Sequence, residues 1–413
     1  MKNGWTGGQY SVYRAIFGSY LFVHFLHLVP WGSELFSSGG VLPDPSASPI
    51  AFVFPNLLSF ADSPVAVTAA LLLGAAMAAA FAVGRCDRIA ALGLWYLWAC
   101  LLGRNPLISN PGIPYVGWLL LAHAAMPAAP FGSWAARRRV DPGGGWRMPR
   151  ALFGIGWFLM ALGYSYSGYT KLVSPSWVDG SALARVMENP LARPTFLREL
   201  MTMQPELLTR LATWGALGLE ILYLPLALSR RVRPWLWLAM VAMHLSLITL
   251  VDFADLTLGM LMLHLFTFDP AWIKPLPAEG EDRVFYDGTC GLCHGSVRVL
   301  LAEARSVETF RFAPLQSEAF EAALPAQERR SLPETMVLLT ADGEMLIRSR
   351  AVARCLSRLG GSWRLLGTLL SIIPRAVADR GYDLAAATRY RLFRKPEEAC
   401  PIMPPELRAR FDV

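Results

Sequence analysis

Charged residues are scarce in this 413-residue chain: 17% are Asp, Glu, Lys or Arg and 54% are hydrophobic, where an ordinary soluble chain carries about 25% charged residues. That shortfall excludes a fully cytosolic enzyme. Lysine is nearly missing, with only Lys2, Lys171, Lys274 and Lys395, so 34 of the 38 basic residues are arginines. The net charge of +7 does not point to nucleic acid as a partner, because many of these arginines sit in short loops between apolar runs, where they act as topology signals. Cysteine is also sparse. Of the six, Cys86 and Cys100 fall at or in apolar runs and only Cys290 and Cys293 are closely spaced, which excludes a secreted disulfide framework. No cleavable signal-peptide pattern is expected either. The first apolar run, Val12–Val29, is interrupted by Arg14, His24 and His27 and lacks a small-residue cleavage site.

What the chain has in abundance is clustered apolar sequence, as in Pro64–Val83 and Leu211–Leu228, the pattern of segments solvated by lipid. Eight spans are expected, roughly at 11–30, 64–83, 89–103, 113–130, 151–170, 211–229, 234–251 and 256–273. The third and eighth are short for a bilayer core of about 30 Å. Loop 31–63 has no Lys or Arg, the next has Arg85 and Arg88, the next only Arg104, and 131–150 has Arg137, Arg138, Arg139, Arg147 and Arg150. Arg230, Arg231 and Arg233 precede a loop with Asp252 and Asp255 and no basic residue. This alternation places both termini in the cytoplasm of a multi-pass bacterial inner-membrane protein. Segment 171–210, with charges of both signs, is expected to form interfacial helices.

Ionisable residues inside spans are costly unless they face a partner or a cavity. Arg14, His24, His27, His123, Lys171, Glu220, His244 and His264 are such residues. For a single histidine an interhelical hydrogen bond is the simpler reading; the group together indicates a polar cavity. Lys171 ends the string Tyr164-Ser165-Tyr166-Ser167-Gly168-Tyr169-Thr170-Lys171, followed by Trp177-Val178-Asp179-Gly180. It can snorkel to the interface, or, desolvated, serve as a general base beside rings suited to a flat ligand. This string resembles the signature of the horizontally transferred transmembrane domain family, which includes the vitamin K-dependent gamma-carboxylase. The resemblance implies Lys171 as the base toward a quinol or another redox-active lipid. Tyr166, Tyr169, Trp177, His24, His27, His123, Glu220, His244 and His264 are the candidate substrate-binding residues. The chain lacks the family's large glutamate-presenting domain, so protein carboxylation is not expected.

From Arg283 the pattern changes. Val284-Phe285-Tyr286 reads as a strand, Asp287-Gly288-Thr289-Cys290-Gly291-Leu292-Cys293 as a turn, and His294–Arg305 as a helix. A Cys-x-x-Cys at a strand–helix junction puts the first thiol at the helix N-terminus, where unpaired N–H groups and the dipole favour a thiolate. Cys290 is therefore expected as nucleophile and Cys293 as resolving thiol. A metal is not expected, because Cys355, Cys400 and His294 are scattered. Strands are expected at Thr309–Ala313, Met336–Thr340 and Glu344–Ile347, the last two paired through Asp342-Gly343, with helices at Ser317–Ala323 and Ser349–Leu359. This order resembles thioredoxin and glutaredoxin folds, with Pro333 in the place of their cis-proline.

The Tyr-Asp-Gly-x-Cys-x-x-Cys string closely resembles the DCC family of thiol-disulfide oxidoreductases over about 282–412, including Ser349-Arg350-Ala351, Ile373-Pro374 and Tyr382…Arg389-Tyr390-Arg391…Cys400. The resemblance implies Cys290 and Cys293 as the redox pair and Asp287 as the family acid. Proton relay and loop capping both stay open for Asp287. Arg375, Arg380, Arg389, Arg391, Arg394 and Lys395 form either a headgroup-docking or a solvated face. The fold class expected is a polytopic α-helical membrane bundle of about eight spans (1–274), a linker (275–281) and a small α/β thioredoxin-like domain (282–413). The function expected is a membrane-bound thiol-disulfide oxidoreductase coupled to a bundle that binds a quinone, quinol or lipid. Its partners are the bilayer and a thiol or disulfide protein, with no covalently bound cofactor. Two alternatives stay open: a carboxylase- or oxygenase-like bundle with the Cys-x-x-Cys domain as its reductase, and a non-catalytic anchor or carrier.

Overall fold

A computed structural model describes residues 3–412 apart from 52, 253, 333–334 and 393–404, with side chains also left out at 254–256 and 389–392. The chain forms two compact units. One comprises Tyr13–Met126 and Pro149–Phe268; the other comprises the residues up to Val12, Pro127–Met148 and Asp269 onward.

The first unit is helical. Its principal helices are α1 (Gly7–Leu28, which begins in residues of the other unit), α2 (Pro64–Val83), α3 (Asp87–Arg104), α4 (Ile113–Ala124), α5 (Arg150–Lys171), α6 (Glu206–Ala227), α7 (Arg233–Leu250) and α8 (Ala254–Thr267). Each expected apolar segment falls on one of them. Four stretches, Gly7–Phe36, Pro64–Val83, Glu206–Ala227 and Arg233–Leu250, are long and apolar enough to cross a membrane. Such helices expose apolar side chains, among them Val65, Leu73, Leu222, Trp235 and Leu238, as lipid-facing surfaces do.

Local chemistry sets the helix ends. Ser63 caps α2 by accepting from the Ala66 N–H, Pro64 starts it, and Gly84 at φ +73° closes it in the left-handed conformation. Of the expected short pair, the eighth is short, at 14 residues, and the third is not. α3 runs 18 residues, whereas α4 has 12 and stops at Ala124, because Pro127 and Pro130 follow and cannot continue it. α8 ends at Thr267 and not near 273, because Asp269 accepts from Ala271 N–H and starts a separate turn at Pro270–Trp272. Within 171–210 lie three short helices, Pro175–Val178, Ala182–Glu188 and Phe196–Thr202.

The C-terminal part carries a small mixed four-stranded sheet: β1 (Asp282–Tyr286), β2 (Phe310–Pro314), β3 (Val337–Leu339) and β4 (Met345–Ile347), in the order β2-β1-β3-β4. β1 and β2 are parallel; β3 is antiparallel to β1 and to β4. The parallel pair needs a crossover, which α9 (Gly291–Glu303) supplies. Three more helices follow, α10 (Arg348–Leu359), α11 (Gly361–Ile372) and α12 (Arg375–Leu392). Val284, Tyr286, Leu300, Phe310, Phe312, Leu338 and Cys355 form the core on one face of the sheet, and Phe285, Ala313, Phe320 and Val337 that on the other. The outer edge of β2 is covered: Phe312 N–H donates to the Arg410 carbonyl, and Asp412 N–H donates to the Phe312 carbonyl, both at 2.9 Å.

Two buried carboxylates fasten this unit. Asp282, with 0% exposure, accepts from Arg354 Nε (3.0 Å) and the Ala341 N–H (3.0 Å) and lies 3.3 Å from Arg358 Nε. Glu303 accepts from the Gly8 N–H (2.7 Å), Trp363 Nε1 (2.6 Å) and the Thr6 hydroxyl. Asp282→Ala strands two guanidinium groups and is expected to cost about 3–5 kcal/mol, measured as a lower thermal midpoint of the detergent-solubilised protein. For Glu303, burial pushes the carboxyl above its ordinary 4.5, opposed by the hydrogen bonds from Thr6, Trp363 and the backbone. The folded state then binds more protons than the unfolded one just above that value, so this group's contribution to stability falls as pH rises. Glu303→Gln is expected to remove that part of the decline as pH rises from 4.5 through the raised folded-state value, read from thermal midpoints across a pH series.

Candidate functional site

β1 delivers the chain into a tight turn. Asp287 Oδ1 accepts from the Thr289 N–H (2.9 Å) and Oγ1 (2.8 Å), and the Asp287 carbonyl accepts from the Cys290 N–H (3.2 Å). In this geometry Asp287 caps the turn. Cys290 is the N-cap of α9, in extended conformation, and its carbonyl accepts from the His294 N–H (3.1 Å). His294 Nε2 donates to the Gly288 carbonyl (2.9 Å) and its ring stands edge-on to Tyr286. Cys293 follows one helical turn after Cys290, and neither is in a disulfide. They differ in access: Cys290 is 1% exposed and Cys293 is half-buried.

Cys293 opens onto a cleft walled by Tyr286, Leu292, Met336, Val352 and Tyr382. The Tyr382 hydroxyl accepts from the Met336 N–H (3.1 Å) and the Thr335 hydroxyl (2.9 Å), tying α12 to the segment before β3. Met336 and the placement of Tyr382 beside the thiols were not legible in the sequence, because about 90 residues separate Tyr382 from Cys293. Cys355 is a core thiol whose pKa burial pushes well up, unsuited to exchange. Pro333, Cys400, Arg394 and Lys395 lie outside the described residues, as do the side chains of Arg389 and Arg391. Arg375 pairs with Asp379 (3.4 Å), and Arg380 is exposed. Among the described residues no group of three or more His, Cys, Asp or Glu could hold a metal.

A second constellation sits in the helical unit, where α5 and α6 meet. A Cβ on Gly168 would come within 2.6 Å of the Ile221 nitrogen and 2.9 Å of Glu220 Cβ, so only glycine permits this approach. Pro225 lacks an N–H, which deprives the Ile221 carbonyl of its helical donor. The Ser165 hydroxyl lies 3.0 Å from that carbonyl as donor and accepts from the Leu224 N–H at 2.9 Å. Lys171 Nζ donates to Glu220 Oε1 (2.6 Å) and stands 4.5 Å above the Trp177 ring. Two turns earlier on α5, the Tyr164 hydroxyl lies 2.7 Å from His244 Nε2 and 2.6 Å from His264 Nε2. A hydroxyl has one proton, so with neutral rings it donates to one histidine and accepts from the other, and the two are opposite tautomers.

The structure thus brings together Lys171, Glu220 and Trp177, and joins His244 and His264 through Tyr164, which the sequence analysis did not select as a site residue. Others lie apart. Tyr166 and Tyr169 are 67% and 69% exposed, His24 packs on Trp98, His27 is exposed, and His123 stands 3.5 Å from Asp87 with Arg14 on the same carboxylate.

Comparison with known proteins bears on the C-terminal part. Residues 284–395 match the DCC1-like thiol-disulfide oxidoreductase family. A chloroplastic DCC family protein of Arabidopsis thaliana is 28% identical over 130 residues, covering 30% of this chain and 75% of that protein. No solved structure matches the chain. The chemistry of such a domain is carried by redox-active cysteines and not by a bound cofactor. Tyr164→Phe removes the shared partner of two buried imidazoles and is expected to cost about 1–3 kcal/mol for each group left unpaired. Thermal unfolding in detergent, with Tyr166→Phe as a control expected to change nothing, checks this.

Proposed function

We propose that this protein is a multi-pass, membrane-bound thiol-disulfide oxidoreductase whose Cys290 and Cys293 cycle between dithiol and disulfide. The observation that carries this is the Cys-x-x-Cys at the β1–α9 junction, within the matched segment, with the first cysteine as helix N-cap. The strand order and the α9 crossover support a thioredoxin-like domain. In one turnover a partner disulfide gains two electrons and becomes two thiols, while the pair loses two and becomes a disulfide. The substrate class in the cell is a thiol or disulfide protein. The reading further takes all eight apolar helices as spans, both termini as cytoplasmic and the bacterial inner membrane as the location, supported by the alternation of basic loops. It divides the chain at 275–281. Replacing either Cys290 or Cys293 by Ser is expected to abolish turnover with an external dithiol as reductant, while Cys355→Ser leaves it within about twofold. Insulin-disulfide reduction by the full-length protein checks this.

For the helical unit, the Lys171–Glu220 pair favours a binding site for a quinol-like or lipid substrate next to Trp177, the use to which the gamma-carboxylase resemblance puts Lys171. A paired ammonium is a proton donor. Lys171 therefore becomes a base only after Glu220 or the ligand has taken its proton. The test is differential alkylation of Cys290 and Cys293 in cells, comparing wild type with Lys171→Ala. A changed oxidised fraction is expected if both units share one electron path. An unchanged fraction would leave the helical unit as an anchor, or as an enzyme with separate chemistry.

A further inference from the structure

The two thiols are unequally placed for the first encounter with a substrate. Exchange requires the attacking sulfur to reach the substrate S–S bond directly and in line. Cys290 has 1% of its surface exposed, held behind the Asp287–Thr289 turn to which its own N–H is bonded. Cys293 is half-buried and forms part of the cleft wall. Its neighbours there are the side chains of Leu292, Met336, Val352, Ala385 and Ala386, the rings of Tyr286 and Tyr382, and Ser296, whose hydroxyl donates to the Leu292 carbonyl (3.1 Å). Among the described residues, no charged side chain lines this cleft. The Tyr382 hydroxyl is already engaged by the Met336 N–H and Thr335.

We propose that Cys293, not Cys290, makes the first attack, and that the cleft beside it seats an uncharged disulfide bearing apolar substituents. The proposal rests on the two cysteines being a redox pair, and it reverses the order suggested by the helix N-terminus. The Cys293 thiolate attacks one sulfur of R–S–S–R, forming Cys293–S–S–R and expelling R–S⁻, which takes up a proton. Cys290, one helical turn away and in no need of solvent access, then loses its proton and attacks the Cys293 sulfur, forming the Cys290–Cys293 disulfide and releasing the second R–S⁻. The substrate gains two electrons and the pair loses two. Among the described residues the cleft lining offers no cation to the carboxylates of a charged disulfide such as that of glutathione, and burying them there is costly.

The test is a single turnover of the reduced, full-length protein in detergent, in a Cys86→Ser, Cys400→Ser background. The probes are neutral dithiodipyridine, which releases a chromophore at each attack, and dianionic dithiobis(nitrobenzoate). In the parent, brief exposure to less than one equivalent of the neutral probe, followed by acid quenching and peptide mass spectrometry, is expected to find the first adduct on Cys293. Cys290→Ser is expected to keep the fast phase, stop at one equivalent and hold the adduct. Cys293→Ser is expected to lose the fast phase by roughly tenfold or more, as befits a buried thiol. A first adduct on Cys290, or a fast phase that survives in Cys293→Ser, overturns the order. After normalisation to free cysteine, the neutral probe is expected to react roughly tenfold faster than the dianionic one; equal normalised rates overturn the substrate class. Failure of the redox pair itself looks different: the parent would stop at one equivalent and form no Cys290–Cys293 disulfide.

Discussion

The redox unit depends on a buried charge at the start of its central strand. Asp282 has no access to solvent and would be prohibitively costly there without partners. Arg354 and Arg358, one turn apart on α10, supply them. Arg358 also donates to the carbonyls of Leu276 and Gly280, so the approach to β1 is fixed by the same side chain. β1 is thereby registered against α10, and its far end presents Tyr286, the Asp287 turn and the two cysteines at one place. The thiol site is only as well positioned as that strand.

Where α5 and α6 meet, the helical unit solves a related problem with a glutamate. The polar side chains there are held where the backbone itself is interrupted. Pro225 leaves a carbonyl to be satisfied, Ser165 serves it, and Gly168 allows α5 and α6 to approach closely enough for Lys171 to reach Glu220. An irregular helix segment in an apolar environment is tolerated where neighbouring groups take up its freed hydrogen bonds. Here the same segment carries the carboxylate that pairs with the lysine.

Much of this was legible in the sequence because it is local. The strand, turn and helix around Cys290 and Cys293 follow from a short apolar run and an Asp-Gly turn, and the β3–β4 hairpin follows from Asp342-Gly343, where Gly343 takes φ +84°. The string ending in Lys171 marked the right helix but the wrong tyrosines. At roughly 100° per residue, Tyr164, Gly168 and Lys171 share a face of α5, while Tyr166 and Tyr169 point elsewhere, so helical phase would have selected Tyr164. What no local pattern carries is contact across distance: Tyr164 with His244 and His264, Tyr382 with Met336, and Glu303 with Thr6 and Gly8. The unequal burial of the two cysteines is equally invisible, since the motif places them only one turn apart.

The pairing of residues 410–412 along β2 bears on how partners are chosen. Many small sheet domains capture an extended peptide by letting it add a strand to an open edge, a mode in which backbone hydrogen bonds supply affinity almost regardless of sequence. At β2 that docking position is occupied by the chain itself, and the opposite edge, β4, offers three residues. Generic strand addition at β2 is closed off, and only the short β4 edge is left for a strand to join.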